Sequence, residues 1–284
     1  MLSDNGHLLA AQISATAQNI HYLSYTISRG HSFSTSATTM SEGSFSAATQ
    51  TIQSHGLLFD MDGTIIDSTD AIVKHWQKIG REIGVDPEVV LATSHGRRSI
   101  DVLQIYEPKL ANWEYISHAE GLIPKEFGQD AVEIPGSRTL LEKLEEQAIP
   151  WCIVTSGTRP LVTGWLDVMS LSDLSSQRGS SEKLVTAEDV ESGKPDPACY
   201  QLGAKLLGLQ QLSPSIVVFE DAPAGVRSGK AAGYTVVALF TTHKLEQLIE
   251  AGADYIVQDM RSVTISSWDK TTGVAQLSIA NALV

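Results

Sequence analysis

Two cysteines in a chain of 284 residues cannot make the disulfide framework of a small secreted domain, nor do they offer the repeated spacing of a zinc site. Cys152 lies inside the apolar run Trp151-Cys152-Ile153-Val154, the setting of a small buried side chain. A reducing compartment, the cytoplasm, is therefore expected. Long hydrophobic runs are also missing. None approaches the roughly 20 residues of a membrane-spanning helix, so no membrane partner is expected. Basic residues are in short supply, 20 Lys and Arg against 33 Asp and Glu, for a formal net charge of −13. That balance argues against nucleic acid as a partner, since nucleic-acid binders need a basic footprint. It repels small anions too, so a phosphate site here must be made locally positive by a metal ion, a lysine and backbone amides. With 42% hydrophobic and 19% charged residues, the composition is that of an ordinary globular protein able to bury one substantial core.

Residues 1–54 are rich in Ser and Thr, as in Ser32-Phe33-Ser34-Thr35-Ser36, and sustain no periodicity. They read as disordered, or as an extension ahead of the folded part. Acidic residues are few there, as in a mitochondrial leader, but Arg29 is the sole Lys or Arg, which supports targeting only weakly. From residue 57 the pattern sharpens. Leu57-Leu58-Phe59 reads as a short buried strand, and Ile72, Trp76, Ile79 and Ile83 follow at helical spacing, with Gly84 as a stop. Residues 75–134 hold no strong strand and look like a helical insert, a cap, ending near Pro135-Gly136. Beyond it, apolar runs at 151–154, 184–185, 216–219, 235–239 and 255–257 alternate with helical stretches near 138–147, 160–169, 197–208, 224–232 and 244–251. Such alternation predicts an α/β fold, a Rossmann-like parallel sheet with helices on both faces. Asp196-Pro197 reads as an N-cap and first-turn proline. The core is thus expected over 55–74 and 135–262. Ser170–Ser181 is expected to be a surface loop, and 263–284 a weakly patterned tail.

Four short strings sit at the ends of the apolar runs. In Asp60-Met61-Asp62-Gly63-Thr64, residues two apart in extended chain point the same way, so both carboxylates can face one pocket. That pocket would lie at the carboxyl edge of the sheet, where open α/β sheets bind ligands. One carboxylate can attack phosphorus, and the other can give a proton to the leaving alkoxide and later take one from water. Gly63 allows a sharp turn with amides near a phosphate. Alone, the string could be an acidic surface turn. Thr155-Ser156-Gly157 can hydrogen-bond a phosphoryl oxygen or merely cap a helix. Lys194, fixed by Pro195, can neutralise nucleophile and phosphoryl group together, although most lysines are simply solvated. Glu220-Asp221, after the run Ile216–Phe219, places two acids where burial is costly without a cation. Mg²⁺ prefers one or two carboxylates plus phosphate oxygens, and Asp221 is the better ligand, with Glu220 behind it.

In this order the strings resemble the haloacid dehalogenase superfamily over roughly residues 57–260. Ser94-His95-Gly96-Arg97-Arg98, Val132–Gly136, Val154–Arg159 and Phe219–Gly225 are similar to fungal glycerol-phosphate phosphatases and 2-deoxyglucose-6-phosphate phosphatases. The resemblance implies a Rossmann-like core with a helical cap and Mg²⁺-dependent hydrolysis of a small sugar or polyol phosphate. It assigns Asp60 as nucleophile, Asp62 as acid and base, and Thr155 or Ser156 with Lys194 to the phosphoryl group. Asp60, the Asp62 carbonyl and Asp221 would hold the metal, with Glu220 nearby. Gly63, Thr64 and Gly157, with His95, Gly96, Arg97 and Arg98 of the cap, are the expected substrate contacts, and a monomer is expected. A sugar phosphomutase would share these strings, and a sugar-phosphate sensor could keep the fold. A dehalogenase fits less well, because displacing a halide needs no acid at Asp62.

Overall fold

Residues 44–94, 96–171, 184–212 and 215–283 are described by the computed structural model. Strand β1 (Gln50–Ser54) runs directly into β2 (Gly56–Phe59), the centre of the main sheet. A short β3 (Ile66–Asp67) then leads into four helices, α1 (Thr69–Ile83), α2 (Pro87–Ser94), α3 (Ser99–Tyr106) and α4 (Trp113–Phe127). The chain returns through β4 (Val132–Glu133), which pairs antiparallel with β3. The ribbon so formed is the neck from which the four helices project. Their own apolar cluster joins Trp76 and Ile79 to Val90, Val102, Leu103 and Ile116, the face that the spacing of Trp76 and Ile79 marks in the sequence.

After β4 the chain alternates: α5 (Ser137–Gln147), β5 (Trp151–Val154), α6 (Arg159–Val168), β6 (Leu184–Val185), α7 (Ala198–Leu206), β7 (Ile216–Glu220), α8 (Pro223–Ala231), β8 (Thr235–Leu239), α9 (Leu245–Ala251) and β9 (Tyr255–Val257). The six strands form one sheet in the order β6-β5-β2-β7-β8-β9, parallel at every pairing. Strands β2, β5 and β7 are buried along their whole length, which is why they read as unbroken apolar runs rather than alternating ones. Successive side chains serve opposite faces. Leu57 and Phe59 pack with Leu140, Leu144 and Trp165 on one side, while Leu58 packs with Tyr200, Ala204 and Val226 on the other. Phe59 stacks on Phe219 with ring centroids 4.7 Å apart and meets Trp151 edge-on. Phe59 is in register with Ile153 and Phe219, so the next residues, Asp60, Val154 and Glu220, emerge level at the carboxyl edge.

Three expectations are corrected. Gln50–Ser54, placed within the disordered start, is strand β1. The tail from 263 is equally regular, with β10 (Val263–Asp269) and β11 (Val274–Ile279). These three make an antiparallel sheet in the order β1-β11-β10. Ala275, Leu277 and Ile279 are buried at every second position of β11, a clear period of two. A register shift between Ile265 and Ser267 hides the same period in β10. β1 is a polar edge strand whose fit depends on its partner. Finally, α7 starts at Ala198 with Pro197 at the capping position, and the Asp196 carboxylate accepts from the Ala198 amide at 2.9 Å. Residues 1–43, 172–183 of the Ser-rich segment, and His95 lie outside the described residues.

Candidate active site

Asp60 follows β2 directly, and its amide donates to the Phe219 carbonyl at 3.0 Å. Gly63, at φ +87°, turns the chain back so tightly that a Cβ there would collide with the Asp221 carboxylate. The turn holds Asp60 and Asp62 above the sheet edge. Lys194 reaches in from the loop before α7 and is buried. Its ammonium donates to Asp60 Oδ1 at 2.6 Å, Glu220 Oε1 at 2.7 Å and the Val154 carbonyl at 3.1 Å. All three of its protons are thereby used. Burial alone would lower the Lys194 ammonium, but the Asp60 and Glu220 charges outweigh it and hold the group above its usual value. Burial pushes the Asp60 carboxyl well up, and the charges of Glu220 and Asp221 push the same way against Lys194.

Asp60, Glu220 and Asp221 each offer a carboxylate oxygen within 4.8 Å of the others. Three buried acids facing one ammonium leave an excess of negative charge, the donor set that suits a hard divalent cation. Glu220 itself is full. Oε1 accepts from Lys194 and from the Tyr200 hydroxyl at 2.9 Å, and Oε2 accepts from the amides of Asp221 and Ala222 at 2.9 and 2.8 Å. Four acceptor sites are all that a carboxylate has, so these bonds commit Glu220 to fixing Lys194, next to Asp221 in the same acid cluster. Asp221 keeps more freedom: Thr64 donates to one oxygen at 3.3 Å and Thr242 to the other. Thr64, expected against substrate, is fully buried behind Asp221.

Asp62 points a different way. Ser68 donates to its Oδ1 at 2.5 Å. Burial raises the carboxyl to about 6, the Ser68 hydrogen bond opposes that rise, and the Asp221 charge adds to it. Thr155 Oγ1 accepts from the Gly157 amide at 3.0 Å, which leaves its own proton to donate. Ser156 has given its proton to the Gly96 carbonyl at 3.1 Å. These groups and the cap enclose a cavity of about 90 Å³. Asp60, Asp62, Gly63 and Asp221 form its floor with Thr155, Ser156 and Gly157, and Gly96 and Arg97 reach it from the cap.

Arg98 does not reach it. Its guanidinium is buried, pairs with both oxygens of Asp101 at 2.8 and 2.9 Å, and donates to the carbonyls of Ala187, Val190 and Glu191 at 3.4, 2.8 and 3.1 Å. It clasps cap to core instead of touching substrate. Sequence reasoning also missed Thr242 and His243, just beyond β8, and Ser68, Trp76, Ser99 and Glu120 on the cap side. Glu120 did leave a signal: it stands between Ile116 and Ile123 on the buried stripe of α4, where an acid is out of place.

An acid-rich pocket with one buried lysine lies at the carboxyl edge of the parallel sheet, where open α/β folds bind their ligands. A family profile described as haloacid dehalogenase-like hydrolase matches residues 57–239. Glycerol-1-phosphate phosphohydrolase 1 of Saccharomyces cerevisiae is 38% identical over 229 residues, covering 78% of this chain and 88% of its own. 2-Deoxyglucose-6-phosphate phosphatase 2 of the same yeast is 35% identical over 227 residues, with 73% and 89% covered. Among solved structures, a hydrolase from Pseudomonas syringae superposes with a TM-score of 0.62 at 24% identity, over 72% of this chain and 94% of that one. The chain belongs to the haloacid dehalogenase-like hydrolase family, and it is an enzyme.

Proposed function

We propose that this protein is a Mg²⁺-dependent phosphatase of small sugar or polyol monophosphates, working through an aspartyl-phosphate at Asp60. The observation that carries the reading is Lys194 bonded to Asp60 at 2.6 Å, with Asp221 beside them and Asp62 in the same cavity. Lys194 opposes the rise that burial imposes on Asp60, and Asp60 attacks phosphorus as a carboxylate. The P–O bond to the alcohol breaks, and Asp62, raised to about 6, gives the departing alkoxide a proton. Asp62 then takes a proton from the water that attacks the aspartyl-phosphate, which frees inorganic phosphate and restores Asp60. Thr155 donates its free hydroxyl proton to a phosphoryl oxygen. Asp60, Asp221 and the Asp62 carbonyl are the groups to hold Mg²⁺. When bound, the ion would offset the charge shared by the phosphoryl oxygens and the attacking carboxylate.

The relatives' names support a polyol or deoxysugar phosphate as substrate. A cavity of about 90 Å³ supports a small one, well below the roughly 300 Å³ of a pocket for drug-sized ligands. Cys152 and Cys199 are buried and form no disulfide, which agrees with a reducing compartment. Among the described residues no helix is long and apolar enough to cross a membrane. The test is phosphate release from glycerol, hexitol and hexose phosphates, with and without EDTA and without a sugar bisphosphate activator. Asp60→Asn is expected to cut turnover by about 10⁴-fold or more while remaining folded, and wild-type protein quenched in acid is expected to carry labelled phosphate. Full activity in Asp60→Asn, or no label on the wild type, overturns the reading.

A further inference from the structure

The cap side of the cavity carries one acid, and the mechanism does not use it. Glu120 is 4% exposed, lies in the middle of α4 and lines the cavity. One of its carboxylate oxygens accepts from the Ser99 hydroxyl of α3, and the other from the Thr158 amide of the core at 2.7 Å. Its place is fixed by more than these bonds. Next to it, Gly121 lies so close to Pro160 of α6 that a Cβ there would stand 2.9 Å from the proline ring. One turn on, Pro124 presses on Gly164 of α6 with 2.7 Å for a Cβ. Two glycines thus let α4 lie directly against a core helix, which sets Glu120 on the wall of the cavity.

The Ser99 hydroxyl and the Thr158 amide take two of its four acceptor sites. The Thr158 hydroxyl, which has no other partner, stands at the carboxylate too, which still leaves a site for a ligand. Its two bonds join α3 and the core to α4, yet an acid on the apolar stripe of α4 adds nothing to the cap's apolar packing. Burying it there is costly, and the neighbouring Asp62 charge adds to the difficulty of keeping it ionised. Beside it stand Trp76 and Ile72, apolar surface suited to the carbon faces of a sugar or polyol. A hydroxyl can donate to the carboxylate or accept from the carboxylic acid, so it pairs with Glu120 in either state. A carboxylate or second phosphate can accept only, and is repelled by the ionised form.

Resting on the phosphatase reading above, we infer that Glu120 is a specificity-determining residue that hydrogen-bonds hydroxyls of the substrate's tail and excludes tails bearing a second anionic group. The assignment names the substrate class: monophosphates whose remainder is neutral and hydroxylated.

The test is the ratio of kcat/KM for a hydroxylated monophosphate, glycerol phosphate or a hexitol phosphate, to that for phosphoglycolate, whose tail is a carboxylate. Wild-type enzyme is expected to favour the hydroxylated substrate. Glu120→Gln removes the charge that repels a second anion, so that ratio falls at least about 10-fold, the scale of one polar contact at a built site. An equal fall on both substrates overturns the inference, because it makes Glu120 a strut and nothing more. Should Glu120→Gln not fold, Glu120→Asp keeps the charge but withdraws it by a methylene, and its ratio must also fall. A wild-type ratio near one, with both substrates turned over, likewise overturns it. Wild-type protein that frees phosphate from neither substrate overturns the phosphatase reading, and this inference with it.

Discussion

Beneath the floor of the cavity Lys194 spends its three protons on Asp60, Glu220 and the Val154 carbonyl, while Glu220 fills all four of its acceptor sites. On the cap wall Glu120 is held by Ser99 and Thr158 and still has acceptor valence to spare. Both carboxylates are buried, yet one is closed and the other open. The floor must present the same reacting geometry to every substrate, and a saturated network of buried charges holds one arrangement. The wall must read what differs between substrates, so it keeps valence free for them. The difference teaches where to look for specificity: among buried groups that are fixed in place and not yet satisfied.

The comparison breaks most violently at Lys194. Lys194→Met keeps the stem and removes the charge, which leaves Asp60 and Glu220 buried with no cation. Removing one member of a buried ion pair typically costs about 3–5 kcal/mol. Urea unfolding of this variant is expected to show a loss of that size, along with lost turnover. A stability within about 1 kcal/mol of wild type, where surface changes fall, would mean that the floor is not held together by this charge network.

Much of the floor was legible because each of its groups follows an apolar run whose length and composition mark a buried strand. Asp60, Asp62, Thr155 and Asp221 can be placed at the sheet edge from that fact alone, and the strand register then brings them level. The wall follows from helix-to-helix packing, which no local string encodes. Arg98 reads like its neighbour Arg97, yet Arg97 faces the cavity and Arg98 is swallowed by the carbonyls of the 187–191 loop. Glu120 was visible only as an acid on an apolar stripe. β11 carried a signal that the reading of a weakly patterned tail passed over, the alternation of Ala275, Leu277 and Ile279, but β1 is polar and becomes a strand only because β11 is beside it.

Two buried titratable groups of the cap, His75 and Glu120, sharpen the contrast through pH. Burial lowers the His75 imidazole to about 4, so between pH 6.5 and 4 the unfolded chain takes up a proton that the folded one refuses. Stability relative to a His75→Phe variant is therefore full above pH 6.5 and falls by about 3 kcal/mol as pH drops to 4. Burial raises Glu120 to about 7, against the hydrogen bonds from Ser99 and Thr158. Here the folded chain keeps a proton that the unfolded one releases. Stability relative to Glu120→Gln is full below pH 4.5 and falls by about 3 kcal/mol as pH rises to 7. Unfolding midpoints across pH 4–8 should give the two differences opposite slopes. Parallel slopes would show that one of the two groups is not buried as described.

The smallest effect separates holding the cap from reading the substrate. Arg98→Met removes the pairing with Asp101 and three carbonyl contacts while keeping most of the buried stem. Asp101 is partly exposed and can rehydrate, but the Ala187 carbonyl, in a buried residue, loses a donor and water cannot easily replace it. The expected cost is about 1–3 kcal/mol, the range for leaving a buried acceptor unsatisfied, seen as a lower melting temperature. Because Arg98 does not line the cavity, its loss loosens the cap for all substrates alike. Values of kcat/KM for hydroxylated and anionic-tail substrates should fall together, with their ratio unchanged. A shifted ratio would put Arg98 on the reading side of the comparison, and it would then share with Glu120 the discrimination assigned here to Glu120 alone.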